Sequence, residues 1–94
     1  MAIERQPTIV NLTCTLADTE YSQEISTGSS FEFQARTEAI VRYAFVTGKV
    51  ATPTAPYMTL KAGDYFYSQS GFGTTTLYVA SPTAGTVVEI LVWI

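Results

Sequence analysis

The sequence predicts an all-β fold, an antiparallel β-sandwich of about eight strands with a jelly-roll or an immunoglobulin-like topology. Short stretches of alternating apolar and polar residues recur along the chain, and Gly, Pro, Asn, Asp and Ser separate them. No window carries apolar residues at helical spacing over three turns, which excludes parallel strands joined by helical crossovers. The 94 residues suit one domain, which we place at 8–94 after an extended N-terminal arm at 1–7.

The first half of the chain contains four predicted strands. They occupy residues 8–16, 20–25, 31–36 and 39–46. In the first strand, Val10, Leu12, Cys14 and Leu16 share one apolar face, so Cys14 is expected to be a buried thiol. The fourth strand is apolar on both faces, and Arg42 is its single charged residue.

The second half contains four more strands, after a loop at 48–56 in which prolines cannot donate to a central ladder. They occupy residues 57–60, 65–68, 75–80 and 86–94. Gly63 permits the tight turn between the first two of them, because glycine adopts positive φ without strain. Between the second and the third of these strands, Phe72 lies at a loop tip flanked by glycines, where an exposed ring would contact a partner.

The last strand is apolar on both faces. One face carries only Val and Ile, and the other carries Val87, Leu91 and Trp93 with Glu89. Since a strand of an antiparallel sandwich normally has one wet face, the second face needs a cover, either a loop of this chain or another subunit. We favour another subunit because a short chain has few residues to spare. Arg42 is the expected ion-pair partner of Glu89, so Arg42, Val87, Glu89, Leu91 and Trp93 form the predicted subunit interface.

Composition supports self-association and argues against several classes of function. Charged residues make up 14% of the chain, against about 25% in an average domain, and leave few groups to solvate a free monomer. The five Lys and Arg are scattered, so nucleic-acid binding is not expected. The apolar runs are much shorter than the roughly 20 residues of a membrane span, and the N-terminus lacks the apolar core of a signal peptide.

The sequence also lacks the groups that most enzymes use. Histidine is absent, which removes the usual general base and the commonest metal ligand. Cys14 has no histidine to activate it as a nucleophile. Asp18, Glu20 and Glu24 fit a solvated turn and a short strand better than a pair of catalytic carboxylates. We therefore expect a protein that is not an enzyme and that has no cofactor and no metal site.

Four segments together resemble small virion proteins of tailed bacteriophages and prophages, found near head genes. They are EYSQEI (20–25), IVRYAF (40–45), YMTLKAGDY (57–65) and TLYVASPTAGTVVEIL (76–91). The resemblance covers most of the chain, and its motifs are structural rather than catalytic. It implies a component of the phage particle, made in the host bacterial cytoplasm.

The implied role is a capsid decoration (cement) protein on the outside of the head. We expect a homo-oligomer, a trimer in particular, that binds the major capsid protein. Ile3 and Arg5 in the arm, together with Phe72, are the predicted partner contacts. The alternative is a receptor- or glycan-binding domain of a fibre or tail, in which Phe72 and the tyrosines of the second half stack on sugar rings.

Overall fold

The computed structural model describes residues 7–25, 30–68 and 74–93. Within them the chain forms eight β-strands and no helix, as the sequence predicts. The strands are β1 (Pro7–Cys14), β2 (Tyr21–Ile25), β3 (Ser30–Ala35), β4 (Val41–Ala44), β5 (Met58–Leu60), β6 (Tyr65–Ser68), β7 (Thr75–Ala80) and β8 (Thr86–Trp93). No helix of the described residues has the length and apolar character needed to cross a membrane. Ile3, Arg5 and Phe72 lie outside these residues.

The eight strands form two four-stranded antiparallel sheets. Sheet A has the order β1-β8-β3-β6, and sheet B has the order β2-β7-β4-β5. Four of the pairs nest around the β4–β5 connection: β4 with β5, β3 with β6, β2 with β7 and β1 with β8. The chain is therefore one long antiparallel ribbon, and its successive pairs alternate between the two sheets. Pairing of β3 with β8 and of β4 with β7 closes each sheet.

This strand order decides between the two predicted topologies. In an immunoglobulin-like sandwich the first two strands lie in the same sheet. Here β1 belongs to sheet A and β2 to sheet B, and the coiled ribbon is the arrangement of a jelly roll. The topology places β8 in the interior of sheet A and β4 in the interior of sheet B, so each strand has neighbours on both sides.

Alternate residues of the two sheets meet in one core. The buried apolar residues are Cys14, Ile25, Phe31, Phe33, Val41, Tyr43, Leu60, Leu77, Val79, Val88, Ile90 and Val92. Phe33 is the centre of an aromatic group, with ring centroids 5.1 Å from both Tyr43 and Phe66. Each large side chain buried in this way contributes roughly 1.5–3 kcal/mol relative to exposure. The apolar face predicted for β1 thus enters the core at Cys14, and the Val and Ile face of β8 enters it at Val88, Ile90 and Val92.

Strand ends differ from the predictions by a few residues. β1 begins at Pro7, which the sequence assigned to the arm, and it ends at Cys14 rather than at residue 16. Leu16 is exposed, because the chain turns there and the Leu16 N–H donates to the hydroxyl of Tyr21. Gly63 has φ +85°, as expected for the turn between β5 and β6.

Candidate interaction surface

The outer face of sheet A carries most of the residues predicted for a subunit interface. Burial along β8 alternates strictly: Val88, Ile90 and Val92 enter the core, whereas Val87, Glu89, Leu91 and Trp93 are only partly buried. The sequence prediction that β8 has a second face outside the core is confirmed. Because β8 lies in the interior of sheet A, this second face is the middle of a broad surface.

Strand registers place side chains from three other strands in one row with Leu91. Leu91 lies opposite Ile9 of β1 on one side and opposite Glu32 of β3 on the other. Glu32 in turn lies opposite Tyr67 of β6. The neighbouring row of the same face runs Asn11, Glu89, Gln34 and Tyr65 across β1, β8, β3 and β6.

Several apolar side chains of this face are open to solvent. Ile9 is 71% exposed, Tyr65 is 67% exposed and Tyr67 is 53% exposed. Between Ile9 and Tyr65 the face has a depression with a volume of about 510 Å³. Its lining residues are Ile9, Glu32, Phe33, Gln34, Tyr65, Glu89, Ile90 and Leu91. The depression therefore combines the side chains of Ile9, Leu91 and Tyr65 with carboxylate and amide groups.

Glu89 is the polar centre of the outer face of sheet A. Arg36 donates through Nε to Oε2 of Glu89 at 3.0 Å, and Gln34 donates through Nε2 to Oε1 at 3.2 Å. These two hydrogen bonds, that from Arg36 first, hold the pKa of the Glu89 carboxyl below its usual value. The ion pair is half-exposed on the Arg36 side, so solvent screens it.

Arg42 is not the partner of Glu89, and the predicted pairing of these two residues is wrong. Arg42 lies on β4 in sheet B, where its Nη2 donates to Oδ1 of Asp18 at 2.7 Å and its Nε donates to the carbonyl of Val50 at 2.8 Å. The strand order separates β4 from β8 by placing them in different sheets. The structure therefore brings together Val87, Glu89, Leu91 and Trp93 but not Arg42.

The outer face of sheet B has a different cover. The connection between β4 and β5, residues 45–57, folds back over it and is called the cover loop below. Val50 of this loop is fully buried and packs with Ala44 and Ala80, while Tyr78 packs against the group. The fourth predicted strand is apolar on both faces because one face meets the core and the other meets this loop.

Two carboxylates and Arg42 fix the cover loop. Glu20 accepts hydrogen bonds from the Thr47 hydroxyl at 2.7 Å and from the Gly48 N–H at 2.8 Å. Asp18, with φ +51°, sits in the same β1–β2 turn and accepts from Arg42. The acidic turn predicted from the sequence is thus used to attach a loop.

Three observations on the described residues concern metal ligands and nucleophilic side chains. They contain no cluster of three His, Cys, Asp or Glu side chains able to hold a metal ion. Cys14 is fully buried, and burial raises the pKa of its thiol, which disfavours the reactive thiolate. Ser81 is buried too, but its hydroxyl donates to the Ile40 carbonyl at 2.8 Å and joins the turn before β8.

The predicted subunit interface did not include three residues of the outer face of sheet A: Ile9, Tyr65 and Tyr67. A signal for each was present. Ile9 is the large apolar residue on the otherwise polar side of β1, and Tyr65 and Tyr67 flank the core-facing Phe66 at a spacing of two. The alternation of apolar and polar residues does not reveal the strand order, and the strand order is what places these residues near Leu91.

Comparisons with known proteins inform the fold. No protein-family model matches the chain, and no curated protein matches it in sequence. A solved structure, the solution NMR structure of a de novo designed double-stranded β-helix, is similar with a TM-score of 0.57 at 12% sequence identity. The match covers 95% of this chain and 99% of that one. The likeness supports the coiled-ribbon fold described above and carries no function.

Proposed function

We propose that this chain is a bacteriophage structural protein, a capsid decoration protein that binds the outside of the head as a homo-oligomer. The observation that supports this proposal best is the contrast between the two outer faces. The chain covers the outer face of sheet B with its own loop, whereas Ile9, Tyr65 and Tyr67 on the outer face of sheet A are not covered by any described residue. Large exposed apolar areas commonly mark interaction sites.

The chemistry of this face suits contact with protein. Tyrosine is enriched in interfaces because it supplies apolar area and a hydroxyl at a low entropic cost. Polar groups lie among the apolar ones, since Arg36 and Gln34 both bond to Glu89 within the same surface. Such a role needs no catalytic group, which agrees with the lack of histidine. The major capsid protein is the proposed partner on the head.

Light scattering coupled to size exclusion at micromolar concentration tests self-association through the outer face of sheet A. We expect the wild-type chain to be oligomeric, with three copies as the expectation from the sequence. The double variant Tyr65→Lys/Tyr67→Lys should have a lower mass in solution than wild type, because it associates less. Met58→Lys is the matched control, because Met58 is equally exposed but lies on β5 of sheet B. A strictly monomeric wild-type chain would refute self-association.

The head location has a separate test. Mass spectrometry of purified phage particles should detect the chain, and a reconstruction of the particle should contain density of this size on the outer surface. Particles without the chain would refute the capsid role, whatever its oligomeric state.

A second candidate function is a receptor- or glycan-binding domain of a fibre or tail. The depression beside Tyr65 favours it, because an exposed aromatic ring next to carboxylate and amide groups can stack on a sugar and hydrogen-bond its hydroxyls. A glycan array probed with wild type and with Tyr65→Ala distinguishes the two functions. Binding that the substitution removes would support the glycan function, and a clean negative array would count against it.

A further inference from the structure

β1 is an open edge of sheet A. It pairs with β8 along all eight residues, from Pro7 opposite Trp93 to Cys14 opposite Thr86. In the described part of the chain no strand pairs with its other side. Since alternate residues of an edge strand direct their N–H and C=O groups away from the sheet, about four residues of β1 offer backbone groups to a further strand.

The other three edge strands are protected in ways that β1 is not. β5 has three residues and β6 has four, so neither offers a long ladder. β2 has five residues and carries the charge of Glu24. β1 has eight residues, contains no charged side chain, and has proline only at its first position. Short edges, charges and interior prolines are the usual means by which proteins prevent strand addition.

Side chains on both faces of β1 would gain cover from an added strand. Val10 and Leu12 point to the core side but remain partly exposed because they lie at its open margin. Ile9, on the outer face of sheet A, is the most exposed large apolar residue described. Thr, Val and Ile also favour extended pairing on a pleated surface.

We propose that β1 of one copy pairs antiparallel with β1 of a second copy around a twofold axis, which makes one continuous eight-stranded sheet. A second copy is the occupant that the sequence of β1 favours, because an uncharged strand meets its own uncharged sequence without repulsion. The low charge of the whole chain favours the same association. This inference rests on the proposed homo-oligomer and adds a contact that joins copies in pairs.

The register of the pair follows from the faces of β1. Opposite residues of an antiparallel pair lie on the same face of the sheet. The twofold axis must therefore pass between two copies of the same residue, which face each other across it. An axis at Asn11 pairs every position from Thr8 to Cys14 and leaves out Pro7, which has no N–H to donate. Val10 of one copy then lies opposite Leu12 of the other on the core side.

Opposite charges at Asn11 test the pairing. Asn11 is exposed on the outer face of sheet A, so Asn11→Lys and Asn11→Glu should both fold. Each variant alone should dissociate roughly tenfold or more readily than wild type, because like charges meet at the axis. An equimolar mixture of the two should recover the mass of the wild-type species, because Lys then meets Glu at the axis. Light scattering and sedimentation measure these masses.

The matched controls are Ser22→Lys and Ser22→Glu, which change an exposed residue on the edge strand β2. They should leave the mass unchanged. If both Asn11 variants associate as tightly as wild type, the β1 pairing is wrong. Association through the outer face of sheet A would not be affected by that result. A monomeric wild-type chain would overturn both contacts, while the chain could still be found on particles.

Disulfide trapping gives a second readout that does not depend on affinity. In a Cys14→Ala background, Asn11→Cys should form a covalent dimer under mild oxidation, since residues at the axis lie within disulfide distance. Ser22→Cys in the same background should not. Equal trapping at both positions, or at neither, would overturn the proposal.

Discussion

The two outer faces of this sandwich contrast in how their apolar side chains are covered. On sheet B, the cover loop buries Val50 against Ala44 and Ala80, and Arg42 and Glu20 hold the loop in place. On sheet A, Ile9 and Tyr65 project into solvent around Leu91. The difference teaches that a strand apolar on both sides signals a need for cover without saying which molecule supplies it.

The polar groups of the two faces differ as well. Arg42 is buried and donates to a loop carbonyl and to Asp18, so it is part of the tertiary structure of one chain. Arg36, which directly follows β3, and Glu89 of β8 are partly exposed and bond to each other on the outer face of sheet A. The first set holds two segments together, whereas the second lies within the outer face of sheet A.

The largest expected effect comes from removing the cover of sheet B. Val50→Asp places an unpaired carboxylate in a fully buried apolar site, and we expect a loss of roughly 3–5 kcal/mol in the free energy of unfolding. Urea unfolding measures it. Val46→Asp is the control in the same loop, where the side chain is exposed and the loss should stay below about 0.5 kcal/mol. Equal losses in both variants would show that the loop does not cover the sheet.

The next effect concerns the arginines of the two faces. Arg42→Met should cost about 2–3 kcal/mol, because the Val50 carbonyl and the Asp18 carboxylate both lose their donor. Arg36→Met should give an unfolding curve close to that of wild type, since its ion pair is screened. The comparison fails if the two substitutions are equally destabilising.

Polar substitutions on sheet A should spare stability. Ile9→Thr/Tyr65→Thr keeps residues that suit strands, and the change in unfolding free energy should stay within about 0.5 kcal/mol. The measurement requires submicromolar protein, where association does not add to stability. A loss of several kcal/mol would mean that these side chains belong to the core of the monomer.

The smallest effect is a local titration. The Glu89 carboxyl should titrate below its ordinary pKa of 4.5 in carbon-detected NMR, and Arg36→Met should move the midpoint upward. The pKa of Glu89 is lower in the folded state than in the unfolded state. The ionised carboxylate therefore stabilises the folded chain above the unfolded-state pKa, and this contribution is lost as pH falls through the folded-state pKa. Identical midpoints in wild type and variant would show that Arg36 is not the cause.

Local patterns were enough to predict the strands and their inward faces. Alternation has a period of two whatever the partner strand, so Phe31, Phe33, Leu77 and Val79 could be assigned to the core from the sequence. Gly63 likewise marked its turn through its own backbone preference. The outward position of Val87, Glu89 and Leu91 on β8 followed from the same rule.

Pairing between distant residues could not be predicted in this way. Asp18 and Arg42 are 24 residues apart, and Arg36 and Glu89 are 53 apart. Reading Glu89 as the partner of Arg42 assumed that two doubly apolar strands are neighbours. The jelly-roll order instead places these strands in opposite sheets.

The sequence by itself determined an all-β chain with eight strands, their core-facing residues and two strands in need of cover on both sides. Only the tertiary structure decided that the cover loop covers β4 and that the outer face of β8 stays partly buried. The physical reason is that alternation is set by the geometry of one strand, whereas cover depends on which segments the coiled ribbon brings together.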